Sequence, residues 1–258
     1  MLKARIALAA AVALLLGAVA GSAHAQTSAT TNFTLQPGGS ATVTFEAFCT
    51  NFGQKFPISI QAPNGLASNN VRGGLAYIQS NNLAADQNAA LEAQYGIWQL
   101  TGATNSPTGG DQSRAVVNAG GTAPSNPDGT SVVDAAKSGQ VTVTLDSWQA
   151  IGQPVAIGST TDNFYGRGTL TIKNTSQQAL TLFMPVGTLF PPATAGEQTM
   201  AGYATNVQVS NPQPAESQQA PQQLPNTAGR DSMLPLAIVA VLALLLAGLQ
   251  VRRRSKLQ

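Results

Sequence analysis

The stretch from Ala41 to Cys49 alternates with a period of two. Val43, Phe45, Ala47 and Cys49 fall on one face, and Thr42, Thr44 and Glu46 on the other. Successive strand side chains point to opposite sides of a sheet, so this text describes a half-buried strand and cannot be satisfied by a helix. By that parity the thiol of Cys49 points into the core. The pattern returns at Val141, Val143 and Leu145, at Leu170 and Ile172, at Leu180, Leu182 and Met184, and at Tyr203, Thr205, Val207 and Val209. Gly166, Gly168, Asn174 and Gly187 supply the turn chemistry between these runs. Regular short strands of this kind predict a mainly β fold, an antiparallel sandwich or open barrel.

Between residues 69 and 100 the period changes. Val71, Leu75 and Ile78 predict a short helix. A second helix is expected from an Asp86 N-cap to Leu100, with an apolar stripe of Leu91, Tyr95 and Trp98. Gln94 falls on the same stripe, so this helix aims an uncharged amide inward among aromatic groups. From Thr101 to Gly129 the chain is rich in Gly, Pro, Asn and Ser and is expected to be a long loop.

The two ends carry a different message. Lys3 and Arg5, an apolar run from Ile6 to Val19, and small residues ending Ala23, His24 and Ala25 have the three-part layout of a secretory signal peptide over 1–25, with cleavage expected after Ala25. At the other end, 224–258 contains Leu224-Pro225-Asn226-Thr227-Ala228, a hydrophobic segment at 233–249, and then Arg252, Arg253, Arg254 and Lys256. Residues 212–223 are mostly Pro, Gln, Ala and Ser and read as an extended linker. Roughly 185 residues are left to fold, enough for one domain or two small ones. The expected division is a β domain with short helices over 26–135 and either a second antiparallel domain or a second sheet over 136–211.

Composition then narrows the chemistry. The net charge of +2 is made by the ends. Between Gln26 and Thr227 there are six basic and ten acidic residues, a net of −4, and no basic cluster that would suit a nucleic acid. The one histidine, His24, lies in the expected leader. A mature chain without histidine has no Ser-His-Asp or Cys-His pair and no His-containing zinc site. The expectation is therefore not an enzyme, with no cofactor and no metal. Cys49 is the one cysteine, so it forms no internal disulfide, and in an exported protein it is inert, intermolecular or reactive.

A strand that buries a thiol and a helix that buries a glutamine amide, some 45 residues apart, can bring the two groups together. Attack of the thiol on the amide expels ammonia and leaves an internal thioester, an acyl donor that a dry pocket protects from hydrolysis. Taken singly, Cys49 reads as a small core hydrophobe and Gln94 as a satisfied core amide. Together with Trp98 they form a recognisable set. Phe48-Cys49-Thr50, followed by Ala93-Gln94-Tyr95-Gly96-Ile97-Trp98, resembles the thioester domains of Gram-positive surface adhesins. The resemblance covers Thr44 to Leu100. It implies that Cys49 supplies the thiol and Gln94 the acyl group, with Phe48, Ile97 and Trp98 forming the pocket. Ala93 stands where that family often has threonine.

The C-terminal segment resembles a sortase sorting signal of the LPxTG type, with Leu224, Pro225 and Thr227 matching and Ala228 in place of glycine. That resemblance implies cleavage after Thr227 and transfer to a cell-wall precursor, with the hydrophobic segment holding the chain in the membrane beforehand. The other reading of the same residues is a plain anchor, since seventeen residues make about 25 Å of helix against a hydrocarbon core of roughly 30 Å. The expected protein is thus an exported, surface-anchored, adhesin-like molecule. Its partners are sortase, the wall precursor and an unknown surface ligand. The alternative is a non-reactive structural or binding β module in the same place.

Overall fold

The computed structural model describes residues 26–27 and 32–213. The expected signal peptide, most of the linker and the whole sorting segment, including Leu224, Pro225, Thr227 and Ala228, lie outside the described residues. In chain order the elements are β1 (Gln26–Thr27), β2 (Phe33–Leu35), β3 (Ser40–Cys49), β4 (Gly65–Leu66), α1 (Asn69–Ser80), a 3-10 turn at Leu83–Ala85, α2 (Gln87–Leu100), α3 (Asp111–Ala119), β5 (Thr130–Ser131), α4 (Val132–Lys137), β6 (Val141–Ala150), β7 (Val155–Ile157), β8 (Thr160–Asp162), β9 (Tyr165–Asn174), β10 (Leu180–Phe183), β11 (Thr188–Phe190) and β12 (Met200–Ser210). The fold is mainly β, with antiparallel sheets and a few helices.

The large sheet has the order β4-β11-β12-β3-β9-β6, with β1 also pairing on β12. Every pair in it is antiparallel. β3 lies between β12 and β9, so strands from 26–135 and 136–211 alternate in one sheet rather than each stretch building its own. The alternating text of β3 works as read as far as Phe45, where Ala41, Val43 and Phe45 are buried and Thr42 is exposed. From Phe45 to Cys49 every residue is buried, because both faces of the strand are covered there. β6, an end strand, keeps a half-buried and exposed alternation. A second sheet of three strands has the order β2-β10-β5, and its β10-β5 pairing is parallel. The strand text at Leu180–Met184 therefore pairs away from the large sheet.

Both expected helices form. Ser68 caps α1, its hydroxyl accepting from the Val71 N–H, and Asp86 caps α2 by accepting from Asn88 N at 3.0 Å and Ala89 N at 2.9 Å. The expected long loop over 101–129 instead contains α3. Its buried positions, Ser113 and Val116, give too sparse a stripe to announce a helix amid so many Gly, Pro and Asn residues. What holds α3 in place is close approach to α2. A Cβ at Gly96 would lie 2.8 Å from the Val116 side chain and 2.9 Å from the Ser113 carbonyl, so only glycine lets the two backbones meet there. The Gly110 N–H also donates to the Glu92 carboxylate, tying the start of α3 to α2.

One polar cluster lies inside the sheet. Glu46 on β3 is buried, and its carboxylate accepts from Arg167 Nη2 on β9 at 2.6 Å and from the Tyr203 hydroxyl on β12 at 3.1 Å. These three residues sit side by side in register. The charge is thus paired and hydrogen-bonded within the strands that bury it.

Candidate functional site

Cys49 is the last residue of β3 and is fully buried. Its neighbour across the ladder on one side is Met200, the first residue of β12. On the other side β9 begins only at Tyr165, opposite Phe48, so the regular ladder stops one residue short of Cys49. The side chain of Gln94 joins the Phe164 carbonyl at that position. Cys49 N donates to Gln94 Oε1 at 2.9 Å, and Gln94 Nε2 donates to the Cys49 carbonyl at 2.7 Å. A side-chain amide has the donor and acceptor of a peptide group, and here it pairs with Cys49 as a neighbouring strand would. The Cys49 N–H is shared with the Phe164 carbonyl at 3.1 Å.

The thiol itself donates to Met200 Sδ at 3.7 Å. Burial pushes the Cys49 thiol well above its ordinary value of 9.0, and the charge of Asp162 raises it further. The resting sulfur is therefore protonated and apolar in character, with a soft thioether as partner.

α2 brings Gln94 inward because the helix turns a different stripe to the core than the one expected. Ala90, Ala93, Gln94 and Ile97 are buried, with Trp98 beside them, while Leu91 and Tyr95 are only half-buried at its margin. Ala90 and Ala93 belong to the same buried face as Gln94.

The three expected pocket residues are all buried but do not share one wall. Trp98, one turn beyond Gln94, packs edge-on against Phe52 with ring centroids 5.0 Å apart. Phe48 alternates to the other side of β3 from Cys49 and stacks on Tyr165 at 5.6 Å. Ile97 lies towards α1, where a Cβ on Gly74 would come within 3.2 Å of its Cδ1. Trp98 is thus the member of the set that packs against the turn following Cys49, through Phe52.

Four residues that the sequence did not single out complete the surroundings. Met200 receives the thiol and Phe164 shares the Cys49 N–H. Gln198, also buried, accepts from Trp98 Nε1 at 3.3 Å and from Asn51 N at 3.2 Å, and it donates to the Gln54 carbonyl at 2.8 Å. Asp162 accepts from Phe56 N at 2.8 Å and from Asn163 N at 2.8 Å. Apart from the bond between Asp162 and its neighbour Asn163, these contacts join residues a hundred or more apart in sequence and follow no local motif, so no spacing rule could have found them.

A cavity of about 320 Å³ opens beside this region, lined by Phe52, Trp98, Gln198, Asp162 and Asn163 among others. A larger cavity, about 810 Å³, lies elsewhere, between α1 and the chain around Pro124 and Pro185. Neither cavity is lined by Cys49 or Gln94. No cluster of three or more His, Cys, Asp or Glu residues suited to a metal ion occurs among the described residues. No helix among them is long and apolar enough to cross a membrane. No family model, no curated protein and no solved structure matches the chain.

Proposed function

We propose that this chain is an exported, surface-anchored, adhesin-like protein in which Cys49 and Gln94 form an internal thioester for a single covalent attachment to a target. The observation that carries this reading is the pair of hydrogen bonds between the Gln94 amide and the Cys49 peptide, 2.9 and 2.7 Å, which holds an otherwise unreactive amide against the backbone of the residue that bears the one thiol of the chain. In the proposed step the Cys49 sulfur bonds to Gln94 Cδ, the bond from Cδ to Nε2 breaks, and the thiol proton leaves with the nitrogen as ammonia. Negative charge develops on Oε1, the atom that already accepts from the Cys49 N–H, so that N–H serves as an oxyanion donor without rearrangement. Fixing the two groups in a buried site replaces the missing base with proximity. A nucleophile from the target then bonds to Cδ, the bond from Cδ to sulfur breaks, the proton of the nucleophile passes to the Cys49 sulfur, and Gln94 stays joined to the target.

The finer reading of the fold follows from the same proposal: a β sandwich or barrel carrying a helical insertion, displayed between a signal peptide and a C-terminal anchor. The sorting segment at Leu224, Pro225, Thr227 and Ala228 would be processed by sortase onto wall precursor, with the hydrophobic segment as a membrane anchor before cleavage. Being consumed once, a thioester of this kind is not an enzyme site.

A second reading has an observation of its own. Both amide atoms of Gln94 and the Cys49 thiol already have partners, which also suits a structural clamp in a non-reactive binding module. Intact mass separates the two. The thioester predicts that the freshly purified full-length chain falls short of its calculated mass by one ammonia and that Cys49→Ala abolishes the deficit. A wild-type chain of full mass, prepared at mild pH, leaves the clamp.

A further inference from the structure

We propose that the free edge of β6 is an interface with a second copy of this chain, the two β6 strands pairing antiparallel about a two-fold axis at Val143. Nothing in this pairing depends on Cys49 or Gln94.

The two ends of the large sheet finish differently. β4 has 2 residues, too few to template another strand, whereas β6 has 10 and among the described residues pairs on one side alone, with β9. Just before β6, the Thr175 N–H donates to the Gln140 carbonyl at 3.0 Å, which makes these two opposed residues a hydrogen-bonded pair. Antiparallel ladders alternate, so Thr142 and Thr144 also bond to β9, while the N–H and C=O groups of Val141, Val143 and Leu145 face away from it. Those outward groups have no backbone partner among the described residues. The side chains are left short of a neighbour as well. Val143 lies opposite Ile172 and Leu145 opposite Leu170, and the two β9 residues are fully buried where the two β6 residues are half-buried. The apolar face of the sheet thus stops at β6 with room for one more strand to cover it.

A second β6 is the strand that fits. Edges are ordinarily closed to further pairing by lysine, proline or several charges. β6 has neither lysine nor proline, and its single charge is Asp146. The bulge between Leu145 and Ser147 bends the strand there and confines regular pairing to residues 141–145. Centred on Val143, that segment is self-complementary. Val143 meets its own counterpart, Leu145 meets Val141 of the partner subunit, and on the opposite face Thr142 meets Thr144 of the partner subunit. Apolar groups thereby pair with apolar groups and hydroxyls with hydroxyls. The outward groups of both chains exchange about six backbone hydrogen bonds. The two Asp146 carboxylates fall roughly 20 Å apart along the ladder, beyond the screening length of physiological salt. A contact made by one short strand from each side buries well under about 1,000 Å², so the pair is weak and forms with rising concentration.

The test uses the full-length chain in a Cys49→Ala background, where an introduced cysteine is the one thiol. Val143→Cys places that thiol on the two-fold axis, where opposed Cα atoms about 5.5 Å apart suit a disulfide. Thr142→Cys, one residue earlier on the same strand, lies opposite Thr144 of the partner subunit and away from its own counterpart, so it is the control for chance encounters. Under mild oxidation, Val143→Cys is expected to form a covalent two-chain species at least about tenfold faster than Thr142→Cys. Val141→Pro, added to Val143→Cys, removes an outward N–H at the first residue of the strand and keeps the bonds to β9. It is expected to slow the cross-link at least about fivefold with an unchanged urea midpoint. Equal rates for the two cysteine variants overturn the second copy as occupant and leave the edge to an extended peptide from another protein. A folded Val141→Pro variant that cross-links at full speed overturns backbone pairing as the contact between the chains.

Discussion

The amide of Gln94 hydrogen-bonds to both the N–H and the carbonyl of Cys49, at 2.9 and 2.7 Å, in a fully buried setting. Removing it leaves the Cys49 carbonyl without that partner and opens a space the size of the lost side chain. Gln94→Ala should cost about 2–4 kcal/mol, from an unsatisfied buried group plus a cavity. Urea unfolding in a Cys49→Ala background reads this clamp alone, because no cross-link can form there. A cost below about 0.5 kcal/mol would mean that the pairing contributes little to the fold.

Gly168 sits in the middle of β9 between β3 and β6, opposite Phe45 on one side and Trp148 on the other. The ring of Phe45 lies over it: an added Cβ would be 2.5 Å from Phe45 Cζ and 2.6 Å from the Ser147 carbonyl. Phe45 is itself stacked on Phe190 at 4.3 Å and on Trp148 at 6.1 Å. With the ring held on both sides, Gly168→Ala has nowhere to relax. The expected loss is about 1–3 kcal/mol, the usual range for overpacking, seen as a lower urea midpoint with an unchanged slope.

How far the sequence foretold this structure depends on how local the deciding interactions are. The strand at Ala41–Cys49 and the Asp86 cap were legible because period and capping act over a few residues. The buried face of α2 runs through Ala90, Ala93, Gln94, Ile97 and Trp98, with Leu91 and Tyr95 only half-buried at its margin, because tertiary packing and not side-chain size decides which face turns inward. α3 was missed because its stability comes from glycine-mediated contact with α2 and not from its own pattern. Cys49 and Gln94 could be named from spacing and resemblance. Met200, Gln198, Phe164 and Asp162 could not, because they arrive from strands and turns more than a hundred residues downstream of Cys49.

Tyr203 makes the alkaline limit of stability testable. Burial raises its hydroxyl far above the ordinary value of 10.0, and the neighbouring Glu46 charge and hydrogen bond raise it more, against a smaller opposing effect of Arg167. A raised folded value means that the native state holds the proton more tightly than the unfolded chain. The contribution is therefore complete below about pH 10 and is lost as pH rises beyond that, where the unfolded tyrosine ionises first. Tyr165 and Tyr95 shift in the same direction. Tyr203→Phe should be less stable than wild type at neutral pH by about 1 kcal/mol. Its unfolding free energy should also fall less steeply above about pH 10. Parallel curves for the two proteins would show that Tyr203 is not the source of the alkaline loss.

The reactivity of Cys49 gives a readout independent of mass. In a Gln94→Ala chain no thioester can form, and in the native fold the Cys49 thiol is fully buried and pushed well above 9.0, first by burial and then by Asp162. Only the thiolate alkylates, so the folded variant should react with iodoacetamide at about pH 8 at least a hundredfold more slowly than the same chain in denaturant. The wild type differs in the second half of the experiment. If Cys49 is free, denaturation exposes one thiol per chain at once. If it is held by Gln94, denaturant at mildly acidic pH exposes none until hydroxylamine cleaves the thioester, after which one appears. Immediate full labelling of the denatured wild type would therefore leave Gln94 as a clamp on the Cys49 peptide and remove the acyl donor from the account.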